Sequence, residues 1–291
     1  MKIYPLIIST FFVAFLVSEC SLFPSKVFET TFDSNGSVIQ APITDSKAEF
    51  GGVSFEFDPA LLGTVEAKEV PESRLQNPDD RPDEVAPRHV EFIFSNGPPG
   101  WNGSLAVYPV KEFPAMYSIN KQSMRSKEKE IEGLRKVIQD KNFRVTGEIP
   151  YLPFIDAGQS FQVKVNLSRF KQGKGIFFGT YLSTEMALIS NDHLRYIFEG
   201  LTDDGDYYIL AEIPIAVDFL PDESPEKFEG YEERFLYEDF SSQGKIKKRH
   251  KIYLESITSR MEALPPDRYR PQLSSLDKII SSLKIDKVIK H

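Results

Sequence analysis

The side chains suited to acid–base chemistry are few, and their spacing predicts no catalytic residue. The four histidines of the chain are His89, His193, His250 and His291. None of them lies at a spacing from Ser, Cys or Glu that is typical of a hydrolase or metalloprotease motif. Asp192 precedes His193 and could orient its imidazole as a general base. We favour a polar turn instead, because adjacent residues of a strand point to opposite faces of a sheet.

Three aspartates lie close together at Asp203, Asp204 and Asp206. Their oxygens could bind Ca²⁺, but the segment lacks the loop and the bidentate glutamate of a calcium hand. Asp204–Gly205 also separates two apolar alternating runs, which predicts a hairpin turn that requires a positive φ. We therefore expect a hairpin with solvated carboxylates and neither metal nor cofactor, and we keep the three aspartates as candidate binding residues.

Trp101 is the only tryptophan, in a loop rich in Gly and Pro that spans residues 96–103. Its ring could stack on a sugar or on a partner surface. The alternative is that the ring packs against its own loop, since large aromatic side chains usually bury most of their area. Trp101 is therefore a candidate for binding a carbohydrate or a lipid, weighed against a structural role.

The N-terminal residues predict export from the cytoplasm. Lys2 is followed by an apolar run from Ile3 to Val17, which is shorter than the about 20 residues of a membrane span. Cys20, the only cysteine, ends a stretch that resembles a bacterial lipobox and would then carry lipid. Glu19 departs from that pattern, which has a small residue before the cysteine. The alternative is ordinary cleavage after Cys20, so the mature protein is periplasmic, on the cell surface or anchored by lipid.

Composition limits the partners and the fold. The net charge of −8 argues against nucleic acid, whose binding requires a basic surface. A single cysteine excludes a disulfide within the chain, so stability must come from a hydrophobic core. The content of aromatic residues, 12%, favours a sheet, because aromatic side chains pack well on pleated surfaces.

The chain divides into a signal peptide (1–20), a flexible tether (21–50), a single domain (51–285) and a tail (286–291). Within the domain, alternating apolar residues predict strands at 53–57, 90–95, 104–108, 161–167, 175–183, 194–199 and 207–217. Amphipathic periods predict helices at 122–141, 246–264 and 272–283. This order of elements predicts an α+β fold, in which helices pack on an antiparallel sheet of about six to seven strands.

Two resemblances extend this interpretation. The segments Gly52–Pro59 and Leu276–Lys284 resemble the opening strand and the closing helix of Mog1/PsbP-like domains, which implies an antiparallel sheet between helices. The segments Ile149–Val165 and His193–Ile215 resemble a group of uncharacterised exported bacterial proteins from cyanobacterial and filamentous phototroph lineages. The second resemblance covers roughly residues 51–220 and implies export, without an activity.

Export without a catalytic motif favours a non-catalytic envelope protein that binds an envelope protein or a ligand, or that assists assembly. The first alternative is an extracytoplasmic hydrolase whose carboxylates converge only in the folded chain. The second is a carbohydrate- or lipid-binding module that uses Trp101. The expected contact with a membrane is limited to a lipid anchor on Cys20.

Overall fold

The computed structural model describes residues 30–32, 38–44, 46–77, 85–95, 102–140, 149–184, 186–232 and 243–286. Two of the predicted site residues, Cys20 and Trp101, lie outside the described residues, together with the whole predicted signal peptide. Within the described ranges, no helix is both long enough and apolar enough to cross a lipid bilayer.

The strands form one large sheet and three small ones. In chain order they are β1 (Thr30–Phe32), β2 (Val38–Ile43), β3 (Lys47–Phe50), β4 (Val53–Glu56), β5 (Val65–Val70), β6 (His89–Phe94), β7 (Gly103–Pro109), β8 (Gly158–Gln159), β9 (Val163–Phe170), β10 (Gly173–Ser183), β11 (Leu194–Thr202), β12 (Tyr207–Pro214), β13 (Ala216–Val217), β14 (Lys227–Phe228), β15 (Tyr231–Glu232), β16 (Tyr269–Arg270) and β17 (Lys284–Ile285).

The large sheet has ten strands in the order β1-β2-β5-β6-β7-β12-β11-β10-β8, and β9 also pairs with β10. Every pair in it is antiparallel. The helices are α1 (Pro59–Leu62), α2 (Phe113–Met116), α3 (Lys121–Gln139), α4 (Gln243–Ala263) and α5 (Leu273–Ser282). The predicted α+β class with an antiparallel sheet is thus confirmed.

Alternation along the central strands separates two apolar layers. On one face, Ile197 and Leu201 of β11 and Leu210 of β12 pack beneath α3 with its Ile131 and Leu134. On the opposite face, the intervening residues of the same strands pack against α4, α5 and the small sheet β17-β4-β3. The amphipathic periods that predicted these helices match the faces they bury: Ile131, Leu134 and Ile138 in α3, and Leu273, Leu276, Ile279 and Ile280 in α5.

The prediction of six to seven strands was wrong for the large sheet, which has ten. Part of the difference lies in the segment predicted as a tether, where β1 and β2 of the large sheet form. The strand β3 of the small sheet β17-β4-β3 also lies there, so the folded body begins before Gly51. β3 buries only Ala48 fully, and β2 is held by backbone pairing with β5. Strands near a sheet edge can form in this way without the apolar alternation on which the prediction depended.

Candidate functional site

A cavity of about 420 Å³ lies on the α3 side of the large sheet. One wall is the N-terminal half of α3 at Ser126, Lys127, Lys129 and Glu130. The other walls are the segment 149–159 that leads into β8 and Leu182 at the end of β10. We call this space the α3 cavity. Its volume is within the range of about 300–1,000 Å³ that is typical of small-molecule sites.

The position of α3 is fixed at its start and along its apolar face. Asn120 caps the helix, since its Oδ1 accepts hydrogen bonds from the amides of Gln122 (3.0 Å) and Ser123 (3.1 Å). Lys127 lies four residues before Ile131 and seven before Leu134, so the three side chains share the face that packs on the sheet. The lysine is therefore drawn into the protein by the apolar residues that follow it.

The Lys127 side chain is 4% exposed and is surrounded by one carboxylate and two rings. Its Nζ donates to Oε2 of Glu130 at 2.6 Å, and Glu130 also accepts from Ser126 Oγ at 3.0 Å. The same Nζ lies 5.5 Å from the centroid of the Tyr117 ring and 5.7 Å from that of the Phe154 ring. Contacts of this kind contribute about 0.5–1 kcal/mol at exposed sites and about 2 kcal/mol or more for a desolvated cation.

The side chain of Gln159 closes segment 149–159 on itself, with a pair of hydrogen bonds to the backbone of Ile149. Gln159 accepts from the Ile149 amide at 3.2 Å and donates to the Ile149 carbonyl at 2.7 Å. Gly133 of α3 faces Pro150, and a Cβ at this glycine would stand 3.2 Å from the proline ring. The close approach of helix and segment fixes the width of the α3 cavity.

Tyr151 connects the α3 cavity with a carboxylate on the sheet. Its ring lines the cavity, and its hydroxyl donates a hydrogen bond to Glu212 of β12. Burial raises the pKa of Glu212, and the Tyr151 hydrogen bond and the nearby Arg195 partly counter that shift. Arg195 itself donates to the backbone carbonyls of Asp192 and Leu194 at 2.9 Å each.

A second carboxylate, that of Glu199 on β11, lies wholly inside the protein, with 0% of the residue exposed. The strand register puts Glu199 opposite Leu210, so its diagonal neighbours on β12 are Tyr208 and Glu212. Neither oxygen of Glu199 has a hydrogen-bond partner among the described residues. Burial, and then the charges of Glu212 and Glu130, hold the pKa of Glu199 well above its ordinary value. Burial in this position therefore favours the neutral form of the carboxyl.

The predicted aspartates lie in the turn between β11 and β12, where each of them has a structural contact. Asp204 accepts from Thr202 Oγ1 at 2.6 Å and from the Asp206 amide at 3.0 Å, and the Thr202 bond chiefly lowers the pKa of Asp204. Asp206 pairs with Lys111 at 2.7 Å, while Asp203 faces Arg169 at 3.7 Å. Gly205 has φ +74°, so the predicted hairpin is confirmed.

A smaller cavity, of about 270 Å³, lies between this turn and the end of α3. Asp203 and Asp204 line it together with Arg135 and Lys174, so cations neutralise the carboxylates. We call it the hairpin cavity. In the described part of the chain, no group of three or more His, Cys, Asp or Glu side chains is placed to hold a metal ion.

The pair Asp192–His193 forms a turn, as we expected. Oδ1 of Asp192 accepts from Ser190 Oγ at 2.5 Å and from the His193 amide at 2.8 Å. The carboxylate oxygen Oδ2 is 3.9 Å from the imidazole Nε2, too far for a hydrogen bond that would orient the ring.

The sequence analysis missed Lys127 in the lining of the α3 cavity and the two buried carboxylates on the sheet, Glu199 and Glu212. Glu199 alternates in phase with Ile197 and Leu201 on a strand whose residues are all buried. This alternation could have identified Glu199, because it puts a charged residue on a buried apolar face. Full burial of a charged residue is rare, so such a position is unusual. For Lys127 the sequence offered a weaker indication, its spacing of four residues from Ile131. The cavity beside Lys127 could not be predicted, because it depends on a contact between α3 and segment 149–159 that no local pattern indicates.

Comparison of the chain with family models, with curated proteins and with solved structures gave no match.

Proposed function

We propose that the chain is an exported, non-catalytic binding protein of a bacterial envelope, and that the α3 cavity is its ligand site. The observation that carries the proposal is the composition of the cavity wall. A buried ammonium and a few polar groups face apolar side chains, as in sites that bind small molecules. Export is proposed from the N-terminal sequence, and Mog1/PsbP-like topology and kinship with exported phototroph proteins stay predictions.

An extracytoplasmic hydrolase is the second candidate, and a specific observation favours it. Glu199 and Glu212 are neighbouring carboxylates whose pKa values are both raised by burial, a property common among catalytic acids. Neither lines the α3 cavity or the hairpin cavity, whereas a hydrolase must bring its acid within hydrogen-bond distance of substrate. Among the described residues, Glu130 is the only carboxylate that lines the α3 cavity, and it already binds Lys127 and Ser126. This geometry supports binding over hydrolysis.

Carbohydrate or lipid binding through Trp101 is a third candidate that the described residues do not address. If Trp101 stacks on a ligand, Trp101→Ala should abolish binding on a glycan array. Unchanged binding, or none in the unaltered protein, would remove this candidate.

Intact-mass measurement of the mature protein from a bacterial membrane fraction tests the proposed export. We expect loss of the N-terminal segment, with a chain that begins either at lipid-modified Cys20 or at Ser21. The two outcomes differ by the mass of the cysteine residue together with its lipid, and the second leaves the protein without an anchor. A mature chain that still begins at Met1 would contradict export.

Binding in the α3 cavity can be tested with the neutral fluorescent probe N-phenyl-1-naphthylamine. We expect saturable binding of one probe per chain, and at least a roughly tenfold loss of affinity in Ser126→Trp, because the indole would occupy the cavity mouth. Ser259→Trp on the exposed side of α4 is the matched control and should bind like the unaltered protein. Equal affinity in all three proteins would mean that the probe binds elsewhere, and no binding at all would remove the proposed function.

A further inference from the structure

The ammonium of Lys127 retains hydrogen-bonding capacity towards the α3 cavity. A lysine ammonium has three N–H donors, and that of Lys127 gives one to Glu130 at 2.6 Å. Its other contacts among the described residues are the faces of Tyr117 and Phe154, which attract the charge without accepting through a lone pair. Because the residue is 4% exposed, little of its charge is solvated by bulk water. An acceptor that enters the cavity would meet a poorly hydrated cation.

Most of the wall opposite the helix is apolar. Ile149, Pro150, Phe154, Ile155 and Leu182 contribute hydrocarbon surface. Gln159 accepts from the Ile149 amide and from Gln162 Nε2 at 2.9 Å, and it donates one N–H to the Ile149 carbonyl. The cavity therefore offers the buried ammonium of Lys127 beside the exposed Lys129 on the helix side, and a mostly apolar surface opposite.

The formal charge of the lining is positive. Lys127 and Lys129 contribute two cations against the single carboxylate of Glu130. Glu130 is the group with which an incoming anion would compete for Lys127, since its Oε2 holds the ammonium. A neutral acceptor would gain a hydrogen bond from this ammonium, whereas an anion gains in addition the Coulomb attraction between two opposite charges away from bulk water.

We infer that the ligand of the α3 cavity is a small organic anion with an apolar body, whose acidic group binds Lys127. The inference rests on the proposed binding function and adds the chemical class of the ligand. The acidic group takes the unused N–H donors of the ammonium, and the apolar body packs against the wall formed by Phe154, Ile155 and Leu182.

Two probes that differ by one acidic group test this assignment. 8-Anilinonaphthalene-1-sulfonate is an anion, and N-phenyl-1-naphthylamine has the same aromatic body without the sulfonate. Fluorescence titration of the full-length protein should give an affinity at least roughly tenfold higher for the anion, as expected for a hydrogen bond to a charged group. Lys127→Met should remove that preference and leave the affinity for the neutral probe within about twofold, while Lys127→Arg should retain it.

Glu130→Gln should change the affinity for the anion in the direction opposite to Lys127→Met. It releases Lys127 from its carboxylate and should strengthen binding of the anion severalfold, without an equal effect on the neutral probe. Lys136→Met and Glu132→Gln are matched controls, because both residues lie on α3 outside the lining and pair with each other at 3.9 Å. Neither control should alter the preference. Thermal unfolding of every variant, followed by circular dichroism, confirms that the titrations report on folded protein.

The outcomes separate the inference from the proposed function. If both probes bind equally and Ser126→Trp blocks both, the cavity is a binding site but the anion preference is wrong. If the controls shift the preference as much as Lys127→Met and Glu130→Gln do, the preference comes from overall charge and the assignment to Lys127 is wrong. If neither probe binds, the proposed function fails, and the inference fails with it.

Discussion

Glu199→Leu is expected to raise the free energy of unfolding by about 1–3 kcal/mol at pH 7, the cost of an unsatisfied buried polar group. Glu199 lies in the apolar layer beneath α3, among Ile176, Leu210 and other residues of that layer, and its two oxygens have no partner among the described residues. A leucine of similar size would replace the carboxyl with hydrocarbon in contact with hydrocarbon. Most core substitutions that shorten a side chain or introduce a polar one lower the free energy of unfolding instead.

The effect of Glu199 should depend on pH with a definite sign. Its pKa is raised in the folded protein, so the folded chain keeps a proton that the unfolded chain releases above the ordinary glutamate value. The stability that this retained proton gives to the folded state is therefore fully present below the pKa that Glu199 has in the unfolded chain. It is lost as the pH rises through the raised pKa of Glu199 in the folded chain. Each such group lowers the free energy of unfolding by at most about 1.4 kcal/mol per pH unit.

Urea unfolding between pH 5 and pH 9 measures this dependence. Glu199→Gln is the matched control, because it cannot titrate but remains polar and buried. Both variants should show a shallower fall of stability with pH than the unaltered protein, and only the leucine should also add stability at pH 5. Burial lowers the pKa values of His89 and His250, so these two residues make the free energy of unfolding rise with pH. All the compared proteins contain both histidines, so this effect cancels when a variant is compared with the unaltered protein. A glutamine variant with an unchanged pH dependence would show that Glu199 is not the titrating group.

Gly175→Ala is expected to destabilise the protein by about 3 kcal/mol or more, near the upper end for overpacked sites. A Cβ on Gly175 would stand 2.3 Å from the carbonyl oxygen of Glu199 and 2.7 Å from Cα of Gly200. Both atoms belong to the backbone of β11, so relief requires a shift of the strand pair and not a side-chain rotation. The pairing of β10 with β11 positions both Glu199 and Leu182, and we expect probe binding to weaken with stability.

Gly158→Ala is the control for this substitution. A Cβ there would meet only the Ser183 carbonyl oxygen at 3.8 Å, which is an ordinary contact. We expect its free energy of unfolding in urea to lie within about 0.5 kcal/mol of the unaltered protein, as for most unconstrained substitutions. Equal stability of the two alanine variants would contradict the close pairing of β10 and β11.

The parts of the fold that were predictable from sequence are those set by local periodicity. The hairpin at Asp204–Gly205 and the buried face of α3 each follow from residues less than about ten positions apart. β3 was missed because its burial is limited to Ala48, which leaves no alternation to detect. β5 reads as a polar stretch because Glu66, Lys68 and Glu69 are only partly buried.

The site was harder to predict than the fold because it depends on distant contacts. The cavity requires Pro150 to approach Gly133, and Tyr151 to reach Glu212 on another strand. No spacing along the chain connects these residues. The surroundings of Lys127 depend on distant contacts as well, because Tyr117 and Phe154 approach its ammonium from elements outside α3.

Chemical-shift mapping of the backbone amides tests most directly whether the α3 cavity is the ligand site. The protein, labelled with ¹⁵N, is titrated with N-phenyl-1-naphthylamine and then with 8-anilinonaphthalene-1-sulfonate. We predict the largest changes for residues 126–131, 151–159 and Leu182, with little change at residues 202–205 of the hairpin cavity. Changes concentrated at residues 202–205, or spread evenly over the chain without saturation, would contradict the account.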